Sequence, residues 1–477
     1  LYHPEGVARN LPDGRFGLTL RAVRSGSKRV AARWMAGAGL LLLGCGAAPP
    51  PEPRNVLLIV VDTLRADHLG AYGYPLATSP HIDAFAEANL KFNYAISAAP
   101  WTSPSVASIF TGDYPTAHGV TKHASYRKMP DDAISPDFTT LAEVLNAAGY
   151  TTWGITANAW VSEQRGYAQG FDRFDSFDYS RADALTKRAA KRLRRLRDKQ
   201  PFLLYVHYMD PHPPLRPPKP LLRRFRKAHA RLPETLRPAT AEMRERMIAY
   251  DGEIAFLDAW IGRLFELLRE LGLYDRMVIA FVADHGLPFM EHGARSHGRM
   301  LHNEDTHVPM ILKLPGRQGE IDPTVSTIDL YPTLVRALGL EVPPGLQGVS
   351  LLDQLDERER RGAFSEITVR EENHRSLVTK DAHKLILAFD KQAHEEVSEE
   401  DEQAVVGLYH SREDYLERQP IQDEAEIAAL RRRLWEVYRQ SLEIQHGVTP
   451  ARTELSPETI EQLRRLGYLD DDEDAGR

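Results

Sequence analysis

The chain has 477 residues, with 60 basic and 67 acidic side chains and a formal charge of −7. That length exceeds what one small core organises and points to a large domain with a smaller companion. The net negative charge, with no basic stretch interleaved with aromatics, excludes nucleic acid as the expected partner.

In chain order, the first feature is the lone cysteine. Lys28, Arg29 and Arg33 precede an apolar run over residues 35–43, which ends in Leu42-Leu43-Gly44-Cys45. Basic residues, a short apolar stretch and a small-residue cleavage site form the pattern of an export signal, too short to span a bilayer. The ending resembles the lipobox of bacterial lipoproteins, which implies Cys45 as lipidation site. Residues 1–54 are therefore expected to be a signal, lipobox and linker. That places the protein outside the cytoplasm, in the cell envelope (periplasm or outer membrane), with a lipid anchor in the membrane. With no second cysteine, an internal disulfide is excluded.

From residue 55 to 350, apolar runs alternate with amphipathic stretches. The expected fold is α/β, a large mostly parallel sheet flanked by helices. Residues 55–61 (NVLLIVV), 201–208 (PFLLYVHY) and 277–283 (MVIAFVA) read as buried parallel strands. They run into Asp62, into Asp210-Pro211-His212 and into Asp284-His285. Open α/β sheets bind ligands beyond the carboxyl ends of their strands, so these side chains are expected in one crevice. Residues 100–105 form a polar turn opening a helix over 106–110. Thr102 reads as its N-cap with Pro104 in the first turn, where backbone N–H groups favour an anion. Residues 253–271 form the clearest helix, with Ile254, Leu257, Ile261, Leu264, Phe265 and Leu268 on one stripe. The basic stretch 187–197 sets Ala190, Leu193 and Leu196 on one face. It reads as a solvated helix face, with contact to anionic lipid or polymer as the alternative. Residues 351–445 read as a small C-terminal α+β subdomain, with antiparallel strands across 375–387 and a helix over 423–445. Residues 446–477 are a tail with an acidic end.

Asp62, Asp284 and His285 supply two hard oxygens and one imidazole, a donor set that suits Zn²⁺ or Mn²⁺ better than Ca²⁺. Thr102 as a fourth ligand would be activated as a nucleophile. His212 and His297 are expected to stabilise anionic oxygens or to protonate the leaving group. With Asp210 they form an alternative second metal site.

Val61-Asp62-Thr63-Leu64-Arg65-Ala66-Asp67, the stretch from Thr102 to Gly112, and Ala283-Asp284-His285-Gly286 resemble the sulfatase family of the alkaline phosphatase superfamily. Ser79-Pro80-His81-Ile82-Asp83, Glu291-His292-Gly293, Ser296-His297-Gly298 and Asp329-Leu330-Tyr331-Pro332-Thr333 follow in family order. The resemblance implies a sulfatase-like fold, hydrolysis of anionic esters borne by glycan or lipid, and one divalent metal, Ca²⁺ in many relatives. It also has departures. Thr102 stands at the family's formylglycine-forming Cys, and Val106 at the Arg of that motif, so no formylglycine is expected. Thr63 replaces the usual second carboxylate. The expected Gly-Lys-x-His stretch falls at residues 156–160, which carry Asn158 and neither Lys nor His. Nucleotide pyrophosphatase/phosphodiesterase relatives pair a nucleophilic Thr with such an Asn, which implies that Asn158 binds substrate. The expected function is metal-dependent hydrolysis of phosphoryl or sulfuryl esters through Thr102, phosphodiesterase-like ahead of sulfatase. A phosphoethanolamine-type envelope transferase and an inactive binder of anionic glycans are the alternatives.

Overall fold

Aliphatic and β-branched runs bounded by polar turns build the centre of the molecule. In chain order the strands are β1 (Val56–Val61), β2 (Leu90–Ile96), β3 (Asp131–Ala133), β4 (Thr151–Thr156) and β5 (Arg173–Ser176). They continue with β6 (Phe202–Tyr208), β7 (Val278–Ala283), β8 (His307–Lys313), β9 (Gly319–Ile321) and β10 (Val325–Ser326). The computed structural model describes residues 54–121, 131–177, 179–353, 361–369, 372–390, 397–401, 403–454 and 456–465. Cys45 and the acidic end of the tail lie outside these residues.

The main sheet has nine strands in the order β10-β2-β8-β7-β1-β6-β4-β5, with β9 on β2. β8 runs antiparallel to β7 and β2, and the other pairings are parallel. Every residue of β1, β6 and β7 is buried, as strands covered on both faces require. The register decides where the chemistry goes. Val61 lies opposite both Tyr208 and Ala283, so Asp62 and Asp284 leave adjacent strands at the same level and end.

The helix expected over 253–271 runs from Ala241 to Glu270. Thr240 caps it, its Oγ1 accepting from the Met243 N–H at 3.2 Å. The earlier half escapes an apolar-stripe reading because it buries a charge. Asp251 accepts from Tyr74 Oη at 2.6 Å and meets His68 Nδ1 at 2.7 Å and His229 Nε2 at 2.6 Å. The basic stretch lies on the helix Ala182–Leu196, which buries Leu185, Ala189, Leu193 and Leu196, so Ala189 takes the place expected for Ala190. Its cations cover aromatics, Arg188 over Phe177 at 3.8 Å and Lys187 over Trp260 at 5.2 Å. That is a solvated face with its stems on apolar surface.

The C-terminal part holds four antiparallel strands, where one or two are expected across 375–387: β11 (Ala363–Val369), β12 (Glu372–Val378), β13 (His383–Phe389) and β14 (Gln403–His410). Phe364, Leu385, Leu387 and Leu408 pack against Leu430, Leu434 and Trp435 of the helix Glu424–His446. The small sheet is tied to the turn before the Thr102 helix, where the Glu366 N–H donates to Ala98 O at 3.1 Å. A last strand, β15 (Ala451–Thr453), pairs with β3. Among the described residues, no helix is long and apolar enough to cross a membrane.

One glycine tests the packing. Gly170 has φ +79, and a Cβ there would lie 2.2 Å from the backbone nitrogen of Glu143. Gly170→Ala combines a disfavoured conformation with a backbone clash and should cost about 2–3 kcal/mol. Urea denaturation would show the loss, and an unchanged midpoint would refute this account.

Candidate active site

Asp62 follows β1, and Asp284 and His285 follow β7. Thr102 was expected to cap its helix, but the backbone is extended at Trp101 (φ −155), which is the N-cap, and Thr102 is the first helical residue. Its hydroxyl is therefore free of capping. Thr102 Oγ1 donates to Asp62 Oδ2 at 3.4 Å and lies 3.3 Å from His285 Nε2. His285 Nδ1 donates to the carbonyl of Gly286 at 2.9 Å. That bond puts the ring proton on Nδ1 and aims the Nε2 lone pair at Thr102 and the carboxylates. Nε2 lies 3.7 Å from Asp62 Oδ1 and 3.6 Å from Asp284 Oδ2. Asn158 joins them, its Nδ2 donating to Asp62 Oδ2 at 2.6 Å and standing 3.5 Å from Thr102 Oγ1.

The donor set fits a divalent metal. Asp62 Oδ1 and Asp284 Oδ2 are buried with no hydrogen-bond partner. Burial pushes the Asp62 carboxyl up to about 8 and Asp284 well above the carboxylate range, and holds His285 down to about 3. Two buried carboxyls with free oxygens stay ionised only beside a cation. The spacing of the donors also matches, since a tetrahedral site with bonds of about 2.0 Å sets its ligand atoms about 3.3 Å apart.

His212 and His297 stand beside this set. Their Nε2 atoms are 3.2 Å apart, and the His297 ring centroid is 4.6 Å from that of His285. Asp210 does not join them in a second metal site. Its Oδ2 accepts from the Ala182 N–H at 2.7 Å, and its Oδ1 lies 4.0 Å from Arg181 Nε. One oxygen is thus bonded at the start of the helix Ala182–Leu196, the other is buried without a hydrogen bond, and Asp210 is not in either group of converging donors among the described residues.

Two residues were not foreseen, and Thr63 takes a conformation that was not. His207 lies within β6 opposite Val60 and Thr156. Its Nε2 is 3.9 Å from Asp62 Oδ2 and 3.8 Å from Asp284 Oδ2, and neither ring nitrogen is hydrogen-bonded. The signal was a single imidazole in an otherwise apolar strand. Buried Arg165 donates from Nη2 to Ser103 Oγ at 3.0 Å, setting a cation against the first turn of the Thr102 helix. Thr63 holds φ +55, a strained conformation for a β-branched residue. In it the Thr63 N–H donates to Asp284 Oδ1 at 3.2 Å. Arg65 and His118 are structural, Arg65 paired with Asp67 and Glu291, and His118 bonded to Ser108 Oγ at 3.0 Å.

The sulfatase family model matches residues 54–340, and the C-terminal model of N-sulphoglucosamine sulphohydrolase matches residues 291–443. An ulvan-active sulfatase of Formosa agariphila is 26% identical over 63% of this chain and 65% of its own length. A multifunctional alkaline phosphatase superfamily protein of Trinickia caryophylli is 26% identical over 64% of this chain and 77% of its own. Among solved structures, Ps i-CgsB in complex with k-i-k-neocarrahexaose superposes with a TM-score of 0.66 at 20% identity, covering 87% of this chain and 98% of that one. A phosphonate monoester hydrolase of Silicibacter pomeroyi gives 0.62 at 20% identity, covering 84% and 99%. The sheet, the strand-end ligand set and a family match over more than half its length agree: the chain belongs to the sulfatase family.

Proposed function

We propose that this chain is a metal-dependent hydrolase of tetrahedral anionic esters with Thr102 as nucleophile, acting on phosphodiesters or phosphonate monoesters ahead of sulfate esters. The observation that carries it is the placement of Thr102 Oγ1 between the Asp62 carboxylate and the free lone pair of His285, with no capping role. Asp62, Asp284, His285 and Thr102 would hold one divalent ion. When bound, such an ion polarises an ester oxygen and lowers the pKa of a coordinated hydroxyl. Thr102 Oγ1 attacks in line, and the substrate's alcohol leaves. Asn158, beside Thr102 Oγ1, would donate to a non-bridging oxygen of the ester. His212 and His297 would hand a proton to the departing oxygen and take one from the water that frees Thr102.

The ranking rests on how the second step must run. A hydrated aldehyde releases sulfate by breaking its own C–O bond, using its second hydroxyl. Threonine has no such hydroxyl, so water must attack the phosphorus or sulfur of the esterified Thr102. Asn158 in place of a Lys and a His also supports the phosphoryl reading. Sulfate ester hydrolysis is the second reading, supported by the curated sulfatase relatives. Matched nitrophenyl phosphodiester, phenylphosphonate and sulfate, offered to the metal-loaded protein, separate the two. Phosphoryl turnover should exceed sulfate turnover, and the reverse order would overturn the ranking.

A further inference from the structure

A second set of ligand-type side chains lies on the segment that follows the catalytic strand end and shares no residue with the Asp62 site. His292, His302 and Glu304 each offer an atom within 4.8 Å of the other two. His292 Nδ1 lies 2.6 Å from Glu304 Oε1, and the rings of His292 and His302 stack with centroids 3.6 Å apart and planes 9° apart. Glu304 and His302 are buried, whereas His292 is partly open to solvent.

Protein contacts account for only part of this. A protonated His292 could donate to Glu304 and, through Nε2, to the Glu417 carbonyl at 3.2 Å. That leaves His302, 3% exposed, with both ring nitrogens buried and unbonded. A buried imidazole with no partner loses its hydration and regains nothing. Its neighbours do not help. Tyr409 meets it through its ring, and Lys384 Nζ is taken up by Glu417 at 3.2 Å and Thr306 Oγ1 at 3.1 Å.

We infer that His292, His302 and Glu304 form a second transition-metal site of the Zn²⁺ type. Two imidazoles and one carboxylate are a zinc donor set, and the half-open side at His292 leaves room for a water as fourth ligand. On binding, His292 gives up its proton and its bond to Glu304, and both turn to the ion. The site would brace the backbone behind the catalytic histidine, because the Gly286 N–H donates to Asp305 O at 2.8 Å. It would also brace it against the C-terminal part through Glu417.

The test is metal counting on the full chain dialysed against Zn²⁺ and then against buffer. Asp284→Asn, which empties the first site, should still retain about one equivalent of Zn²⁺. Adding His302→Ala, or His302→Gln to keep the side chain's bulk, should remove it. Co²⁺ loaded into the Asp284→Asn protein should give visible d–d absorption that both His302 variants abolish. Loss in both variants, with circular dichroism unchanged, supports the site. Equal metal content with and without His302, or no bound metal in Asp284→Asn, overturns it.

Discussion

Thr102→Ala should lower turnover of whichever ester the protein cleaves by more than about 10³-fold, the scale of losing a covalent nucleophile. The fold should be indifferent. Thr102 Oγ1 makes no capping bond, and alanine is at least as good as threonine in a helical position. The residual rate would come from a metal-bound water attacking directly, with Asn158 and the two histidines still in place. Thr102→Ser keeps the hydroxyl and should stay within about 100-fold of the parent, because only the γ-methyl that fixes the rotamer is lost. Single-turnover and steady-state assays on both variants, with thermal melts alongside, check this. Thr102→Ala retaining more than a tenth of the activity would remove Thr102 from the chemistry and leave Asp62, Asp284 and His285 as a site that activates water alone.

Strand ends were the most legible part of the sequence. A buried parallel strand has to be apolar along its length and polar where it stops, so Asp62, Asp284 and His285 stand out from β1 and β7 by contrast alone. Their meeting is a matter of register, with Val61 beside Ala283, and register is invisible in one sequence. His207 went unseen because the same rule absorbs it. A polar residue inside an apolar run looks like a tolerated exception until the neighbouring strands set two carboxylates beside it. Asp210 misled for the opposite reason. It sits at a strand end beside His212, but it does not converge with His212 and His297, and the Ala182 N–H holds one of its oxygens. Thr102 was placed one residue too far from its helix. A Ser/Thr-Pro start predicts a cap, and the extended backbone that makes Trp101 the cap depends on tertiary packing.

Asp284→Asn gives the second large effect, and its sign should reverse with metal. In the metal-free protein Asp284 is a buried carboxylate with one oxygen unpaired, facing Asp62 across the site. Burial and Asp62 hold its carboxyl well above the carboxylate range, so the metal-free fold must take up a proton there, whereas asparagine is neutral already and its amide oxygen can accept from the Thr63 and His285 N–H groups. In chelator at neutral pH, Asp284→Asn should therefore melt higher than the parent, by about 1 kcal/mol or more, because the variant folds without that proton uptake. With Zn²⁺ or Mn²⁺ the order should invert. An ion at a hundredfold its dissociation constant stabilises the parent by about 2.7 kcal/mol, and the variant, with an N–H where the metal needs an oxygen anion, gains none of it at this site. Any ion held by His302 shifts both proteins alike and cancels in the difference. Turnover should fall with metal affinity, by more than about 10²-fold, since changes even behind a metal's ligands cost that much. Melts in chelator and in metal are the decisive pair. If the variant is less stable than the parent in both, Asp284 holds the fold through its hydrogen bonds, and the case for a metal must rest on Asp62 and His285 without it.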